Sequence, residues 1–494
     1  MTAYTKKAFW NFFFMLLGIL GANVFGYLTR IVLARQLSVA EYGVIYAVIA
    51  LFGLTSIFQN LGLSQAIAKY VAKYAVKKNY RKIKEVLVIC ARIMYGSTAL
   101  LACLAFLLSD LLSTAYFQTS IAGSLVRIFA IATLLSPIWM VVIATFDGLQ
   151  RFELRAVGEF FNGIVLFVAT LCFLALGFGV QSYMYAYIVF TTLAYVFFLP
   201  LLARYVPGIF TIKTTYSKKT LRMLFTYGLP VMFTGVAGMV LTYTDTALLT
   251  LFSGLEEVGI YQTALPTANI LLFFVGGVTS VLLPLVAELW ERKKHTLITQ
   301  ATTELYKYAF VSLLPLLLAI FMYPDIILNL LFGGAYLAGA PVLQILAIAA
   351  LFLTLHAVNT ATLAGMGFTK LNMQATITGA ACNLGMNIVL IPLYGGTGAA
   401  ISTLSAAILM FCISTYLLGR KITVRVPFLQ WAKSILCAGV FVGILWTTRS
   451  MVDVDQYVKI VLSLILGSAA YVFCIWATRT ITLKEALAMK KRIF

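Results

Sequence analysis

Acidic residues are scarce in this chain: 16 Asp and Glu among 494 positions, against 36 Lys and Arg, leave a net charge of +20. Charged residues of both signs make up only 11% of the chain and apolar residues 62%, where soluble domains average about 25% and roughly 45–50%. A soluble globular fold is therefore excluded. Histidine is rarer still, and the two copies, His295 and His356, stand 61 positions apart without a ligand-spaced partner, so no metal site is expected. The seven cysteines lie singly inside apolar runs, without CxxC spacing, and read as small core hydrophobes. No GxxxxGKS or GxxxxGKT phosphate cradle occurs, so ATP hydrolysis is not expected and no cofactor is implied.

Long apolar runs fill the remainder. A membrane-spanning helix takes about 20 residues and connections add a dozen or so, which allows roughly 14 spans. Breaks at charged or turn-rich positions place them near 9–34, 44–68, 86–109, 120–146, 156–177, 181–203, 223–252, 258–286, 305–331, 340–366, 372–393, 397–419, 432–449 and 456–478. The runs are too long, and too uniformly apolar, for barrel strands. An all-α integral membrane protein is predicted. The opening run, behind Lys6 and Lys7, continues to about Ala34 without a convincing cleavage site, and reads as a retained first span rather than a signal peptide.

Placement of the basic residues sets the expected orientation, because Lys and Arg near span ends favour the cytoplasm. The N-terminus, the even-numbered loops and the C-terminal tail hold 29 of the 36, including Lys69, Lys73, Lys77, Lys78, Arg81, Lys82 and Lys84 after span 2. Five lie on the other side and two, Arg92 and Lys307, within or at the start of spans. Both termini are expected in the cytoplasm of a multi-pass cell-membrane protein. The same asymmetry accounts for the excess positive charge through topology and attraction to anionic lipid, so nucleic acid is not expected as a partner.

A long-period repeat runs through the spans. Glu41-Tyr42-Gly43-Val44-Ile45-Tyr46 resembles Glu257-Val258-Gly259-Ile260-Tyr261, with the glycines 216 positions apart. Lys77 and Lys78 then fall opposite Lys293 and Lys294, and Gly148 and Gly179 match Gly365 and Gly396 at an offset of 217. Six spans, an even number, separate the copies, so two parallel six-helix lobes are expected, followed by two extra C-terminal helices. The boundaries are an N-lobe over 1–207, a cytoplasmic linker over 208–222, a C-lobe over 223–420, and spans 13 and 14 with a tail over 421–494. A two-lobed transporter with its path between the lobes fits this pattern; a duplicated scaffold that transports nothing would share it.

Ionisable groups inside lipid cost about 2.5–3.5 kcal/mol near a helix centre on insertion scales, and so tend to face cavities. Four stand out: Arg30 in span 1, Arg127 in span 4, Glu159 in span 5 and Asp245 in span 7. The 216-residue offset carries Arg30 onto Thr246, so the halves place opposite charges at nearly equal depth. Snorkelling to a helix end is the alternative for the arginines; Asp245 is too short for it. Weaker signals come from Gln59 and Asn60 in span 2, Asn162 in span 5, Asn269 in span 8, His356 and Asn359 in span 10, and Asn383 and Asn387 in span 11, where interhelical hydrogen bonding is the commoner role.

The stretch Arg35-Gln36-Leu37-Ser38-Val39-Ala40-Glu41-Tyr42-Gly43, followed after an apolar span by Asn60-Leu61-Gly62-Leu63-Ser64-Gln65-Ala66, resembles the opening of polysaccharide-type flippases. These belong to the multidrug, oligosaccharidyl-lipid and polysaccharide exporter superfamily. Gly365-Met366-Gly367-Phe368-Thr369-Lys370-Leu371 and Leu393-Tyr394-Gly395-Gly396 are similar to the family's second half. The resemblance implies a two-lobed bundle that moves polyprenyl-(di)phosphate-linked oligosaccharide from the inner to the outer leaflet by alternating access, without enzymatic chemistry. Arg30 matches a basic first-span position of the related peptidoglycan-precursor flippases, although Ile31 follows where those often carry an acid. Arg30, with Arg127, Gln59, Asn60 and Asn269, is the implied substrate-binding set, and Asp245 or Glu159 the candidate for proton or sodium coupling or for an ion pair. Membrane lipids and polysaccharide-assembly enzymes are the other partners implied. A cation-coupled multidrug exporter and a membrane glycosyltransferase are the alternatives.

Overall fold

The computed structural model describes residues 3–212, 217–451 and 456–480, and every regular element among them is helical. The α-helices are α1 (Ala3–Gln36), α2 (Val39–Asn60), α3 (Leu63–Val76), α4 (Tyr80–Leu107), α5 (Ser109–Leu111), α6 (Ser120–Thr133), α7 (Ser136–Gly148), α8 (Phe152–Ala175) and α9 (Ser182–Tyr205). They continue with α10 (Lys218–Phe252), α11 (Leu255–Glu291), α12 (His295–Met322), α13 (Pro324–Leu331), α14 (Ala340–Gly365), α15 (Thr369–Gly419), α16 (Phe428–Met451) and α17 (Gln456–Ala477). Lys213, Lys484, Lys490, Lys491 and Arg492 of the predicted basic face lie outside the described residues.

Among the described residues, 11 helices are long and apolar enough to cross a membrane, or 12 if α6 and α7, bent by 44°, form one broken span. The chain is thus a multi-pass membrane protein. The difference from fourteen has two identifiable sources. Helix α15 runs for 51 residues, about 76 Å at 1.5 Å per residue, across a break at Gly395, whose φ of 53° and ψ of −133° are non-helical; the sequence divides it into two spans. Helix α11 carries span 8, and part of it lies outside the residues whose side chains are described.

Two compact units divide the chain. The first comprises Met1–Thr263, Leu331–Tyr336 and Leu384–Ala399. A core in this unit gathers Leu63, Ile67 and Val71 of α3, Ile83, Val86 and Cys90 of α4, and Phe146 of α7. The spacing of 4 on α3 puts those apolar residues on one helical face, leaving Gln65, Lys69 and Lys73 to the other. Helix α2 starts at a capping box, Ser38 and Glu41 satisfying each other's backbone N–H groups. Beyond its end, Leu61 and Gly62 both adopt left-handed backbone, φ 50° and 70°, and turn the chain into α3.

Helices α2 and α11 meet in this unit closely enough to require glycine twice. A Cβ on Gly43 would collide with the Leu255 carbonyl oxygen, and one on Gly259 with that of Val39. Adding 216 to 43 and to 39 gives 259 and 255, so the two contacts exchange, the symmetry of a local two-fold axis between the start of α2 and the start of α11.

The second unit comprises Ala264–Leu330, Leu337–Asn383 and Ala400–Phe494. Phe310 of α12 stacks on Trp431 of α16 at 4.7 Å, and the Tyr471 hydroxyl of α17 donates to the Val311 carbonyl at 2.9 Å, so the two C-terminal helices pack onto α12. A polar knot is buried beside this core: Tyr306 donates to Asn359, whose Nδ2 donates to Ser414 and Thr415 at 2.9 Å each, while His356 Nδ1 lies 3.1 Å from Ser414. Gly365 packs against Val286 in this unit as Gly148 packs against Val71 in the first, each Cβ position 2.8 Å from a valine Cβ.

Replacing Gly43 by Ala is expected to cost about 1–3 kcal/mol, the usual penalty of overpacking. Gly96→Ala in α4, where no atom lies within 4 Å of the added carbon, should instead stabilise by about 0.5–1 kcal/mol through helix propensity. Thermal melts of both purified variants check the pair.

Candidate functional site

Among the described residues, the contacts of the Arg30 side chain, half-buried near the end of α1, are with neutral groups. Its Nη1 donates to the Gln262 carbonyl oxygen at 3.2 Å and to Gln262 Oε1 at 3.1 Å. The guanidinium carbon stands 4.1 Å from the centroid of the Tyr46 ring, a cation–π contact. Tyr42, one helical turn earlier, donates its hydroxyl to the same Gln262 carbonyl at 3.2 Å and packs against Tyr46 at 4.8 Å and Tyr336 at 5.8 Å. Both bonds to Gln262 come from Nη1.

Gln262 carries the network onward. Its Nε2 donates to Thr246 Oγ1 at 2.6 Å, and the next residue back on each helix forms a second layer, where Tyr261 donates to Asp245 Oδ2 at 2.6 Å. Asn387 of α15 donates to Asp245 Oδ1, also at 2.6 Å. Asp245 is 4% exposed, and each of its carboxyl oxygens accepts a hydrogen bond, as a buried polar group requires. Arg30 and Asp245 thus sit in adjacent layers, Arg30 bonded to Gln262 and Asp245 to the neighbouring Tyr261.

The repeat explains this convergence. Adding 216 turns Arg30 into Thr246 and Tyr46 into Gln262, so the site consists of two equivalent pairs from opposite halves, and Gly43 and Gly259 mark the axis beside them. An equivalent position holds a cation in one half and a hydroxyl in the other. Symmetry brings the helices together; the substitution makes the chemistry one-sided.

Other sequence candidates fall elsewhere. Arg127 donates from Nε to Ser109 at 2.8 Å and pairs with Asp110 at 2.5 Å, in an ion pair whose side chains are 41% and 80% exposed. Glu159 lies 3.8 Å from Arg155, which also bonds Asp147 at 2.6 Å. Gln59 and Asn60 end α2, about 20 Å along the helix from Tyr46. There the Gln59 carbonyl accepts from Ser97 at 3.0 Å and Asn60 Oδ1 accepts the Ser64 N–H at 3.0 Å, capping α3. Asn269 is a half-buried residue of the second unit. Tyr42, Tyr46, Tyr261, Gln262 and Thr246 complete the cluster and are not sequence candidates; the offset from Arg30 and from the Glu41–Tyr46 motif reaches Thr246 and Gln262, but tyrosines among 26 carry no compositional signal.

A family model described as polysaccharide biosynthesis protein matches residues 9–290, more than half of the chain, including Arg30, Tyr46, Asp245 and Gln262. The chain belongs to that family. The fold is similar to that of proteins of known structure: a lipid II flippase MurJ in an inward closed conformation superposes with a TM-score of 0.78 at 14% identity, covering 97% of this chain and 99% of that one. An uncharacterised membrane protein, MJ1068, of Methanocaldococcus jannaschii is 27% identical over 95% of this chain and 94% of its own length. A probable low-salt glycan biosynthesis flippase, Agl15, of Haloferax volcanii is 22% identical over 91% of this chain and 92% of its own.

Removing Asn387 as a donor, by Asn387→Leu, leaves Asp245 short of a hydrogen bond in a buried site and should lower stability by about 1–3 kcal/mol. Asp110→Asn, which removes only an exposed ion pair, should change it by less than about 1 kcal/mol. Chemical denaturation in detergent distinguishes the two.

Proposed function

We propose that this protein is a flippase that carries polyprenyl-(di)phosphate-linked oligosaccharide from the inner to the outer membrane leaflet by alternating access, and that Arg30 holds the phosphate. The observation that carries this reading is an arginine bound within the apolar span by an amide, a carbonyl and an aromatic face. A cation desolvated among neutral partners has charge to offer an incoming anion, and the guanidinium edge formed by Nε and Nη2 has the geometry for a two-point grip on phosphate oxygens. A diphosphate cannot cross hydrocarbon alone, so such a grip answers the main physical obstacle to transfer. The relatives named as flippases point the same way.

In this reading both termini are cytoplasmic, the membrane is the cell membrane, and residues 1–207 and 223–420 form the lobes, joined by the linker at 208–222. Arg30 and Asp245 then lie in the outward half, and the pairing of α2 with α11 through Gly43 and Gly259 is the seal on that side. Asp245, with Tyr261 and Asn387 on its oxygens, is the candidate for proton or sodium coupling; Glu159, held by Arg155, is the weaker one. Arg127 is discounted as an anchor because Asp110 already neutralises it. Enzymes of polysaccharide assembly would supply the substrate and consume the product. A cationic-drug exporter of the same fold would call for an acid where Arg30 stands.

Vesicles reconstituted with the protein and a lipid-linked oligosaccharide test the proposal. Arg30→Gln is expected to slow transfer roughly ten- to a hundredfold, the worth of one charged hydrogen-bonding group, whereas Arg127→Gln should leave it within about threefold. Unchanged transfer by a folded Arg30→Gln protein would remove Arg30 from the site.

A further inference from the structure

Helix α10 has chemistry at both ends. Thr246 and Asp245 serve the Arg30 cluster; 24 residues earlier, roughly 36 Å along a helix at 1.5 Å per residue, Arg222 faces a separate cavity in the same unit. The cavity has a volume of about 400 Å³ and is lined by Lys69 and Tyr70 of α3 and by Lys219, Arg222, Met223 and Tyr227 of α10. That volume falls within the roughly 300–1,000 Å³ of small-molecule sites. Three cations line it, and none of the lining residues is acidic.

The cations are placed rather than merely present. The Lys69 ammonium stands 3.8 Å above the Tyr227 ring, and Tyr227 packs edge-on against the buried Tyr70 at 6.1 Å. Glu85, the acid packed against the start of α10, is engaged elsewhere: Lys82 donates to one oxygen at 2.7 Å and Thr220 to the other at 2.5 Å. That second bond docks the first turn of α10 on α4 and so fixes the side from which Lys219 and Arg222 project. Among the described residues, Lys69, Lys219 and Arg222 form no ion pair. Topology alone would call for basic residues near this end, but it does not require three of them around one hollow floored by aromatic rings.

We propose that this cavity is a capture site for the diphosphate of the lipid-linked saccharide, occupied before transfer and lying a membrane's thickness from Arg30. The inference rests on the transport reading for the identity of the lipid, but the binding chemistry stands on the cavity itself. Lys69, Lys219 and Arg222 match a multiply ionised diphosphate, and Tyr70 and Tyr227 offer faces to an adjoining sugar ring. The hydrocarbon core is about 30 Å thick, so the capture site and the Arg30 site would serve opposite leaflets.

The test uses the full-length protein in phosphatidylcholine nanodiscs, with farnesyl diphosphate as the probe and inorganic pyrophosphate as competitor. Lys69→Gln with Arg222→Gln is expected to weaken probe binding about tenfold or more, Arg222→Lys to retain it within about threefold, and Arg127→Gln, whose charge Asp110 already neutralises, to leave it unchanged. Pyrophosphate should displace the probe, whereas adding phosphatidylglycerol to the nanodisc should not. Binding lost in Arg30→Gln but kept in the double variant would overturn the proposal, and displacement by phosphatidylglycerol would reassign the cavity to an ordinary anionic lipid. Wild-type protein that binds the probe normally yet transfers no lipid-linked saccharide would defeat the transport reading while leaving the diphosphate site in place.

Discussion

The closeness of two backbones governs this architecture. At Gly43 and Gly259 the starts of α2 and α11 approach until no side chain fits between them, and that approach fixes the rotation of both helices. Tyr46 follows Gly43 by three positions and Gln262 follows Gly259 by three, so each glycine orients a residue toward Arg30. Without a hydrophobic driving force between helices in lipid, close packing of small residues is a main means of association. Here the same packing also builds the polar cluster.

Arg30 and Asp245 show two solutions to keeping charge in an apolar setting. Asp245 accepts from a tyrosine and an amide on its two oxygens, which neutralises the cost of its burial locally. Arg30 bonds to neutral acceptors and leans on a ring, which solvates the guanidinium without cancelling its charge. The difference decides which group is suited to meeting an anionic headgroup and which to responding to a small cation.

Much of this was legible in the chain because charge is so rare in it. Arg30 and Asp245 stand out as the charged residues of their spans, and the break of α15 is visible as Gly395-Gly396 after Pro392. The repeat was readable from six residues and, applied consistently, maps Tyr46 onto Gln262. What could not be read is which polar side chains find local partners. Asn60 looks like a binding residue until its side chain is seen capping α3, and Arg127 looks like an anchor until Asp110, 17 positions away, is seen against it. Those outcomes depend on how a loop folds back, and neither composition nor periodicity encodes that.

The duplicated glutamates have parted company. Glu41 closes the first turn of its own helix through Ser38, but Glu257, its counterpart 216 positions on, accepts the Gly396 N–H at 2.8 Å, at the break in α15. One carboxylate is spent on self-assembly; the other braces a neighbour whose glycine joint no other residue type could occupy without strain. The two glutamates are thus unequal struts, one closing its own helix and the other tied to a jointed rod.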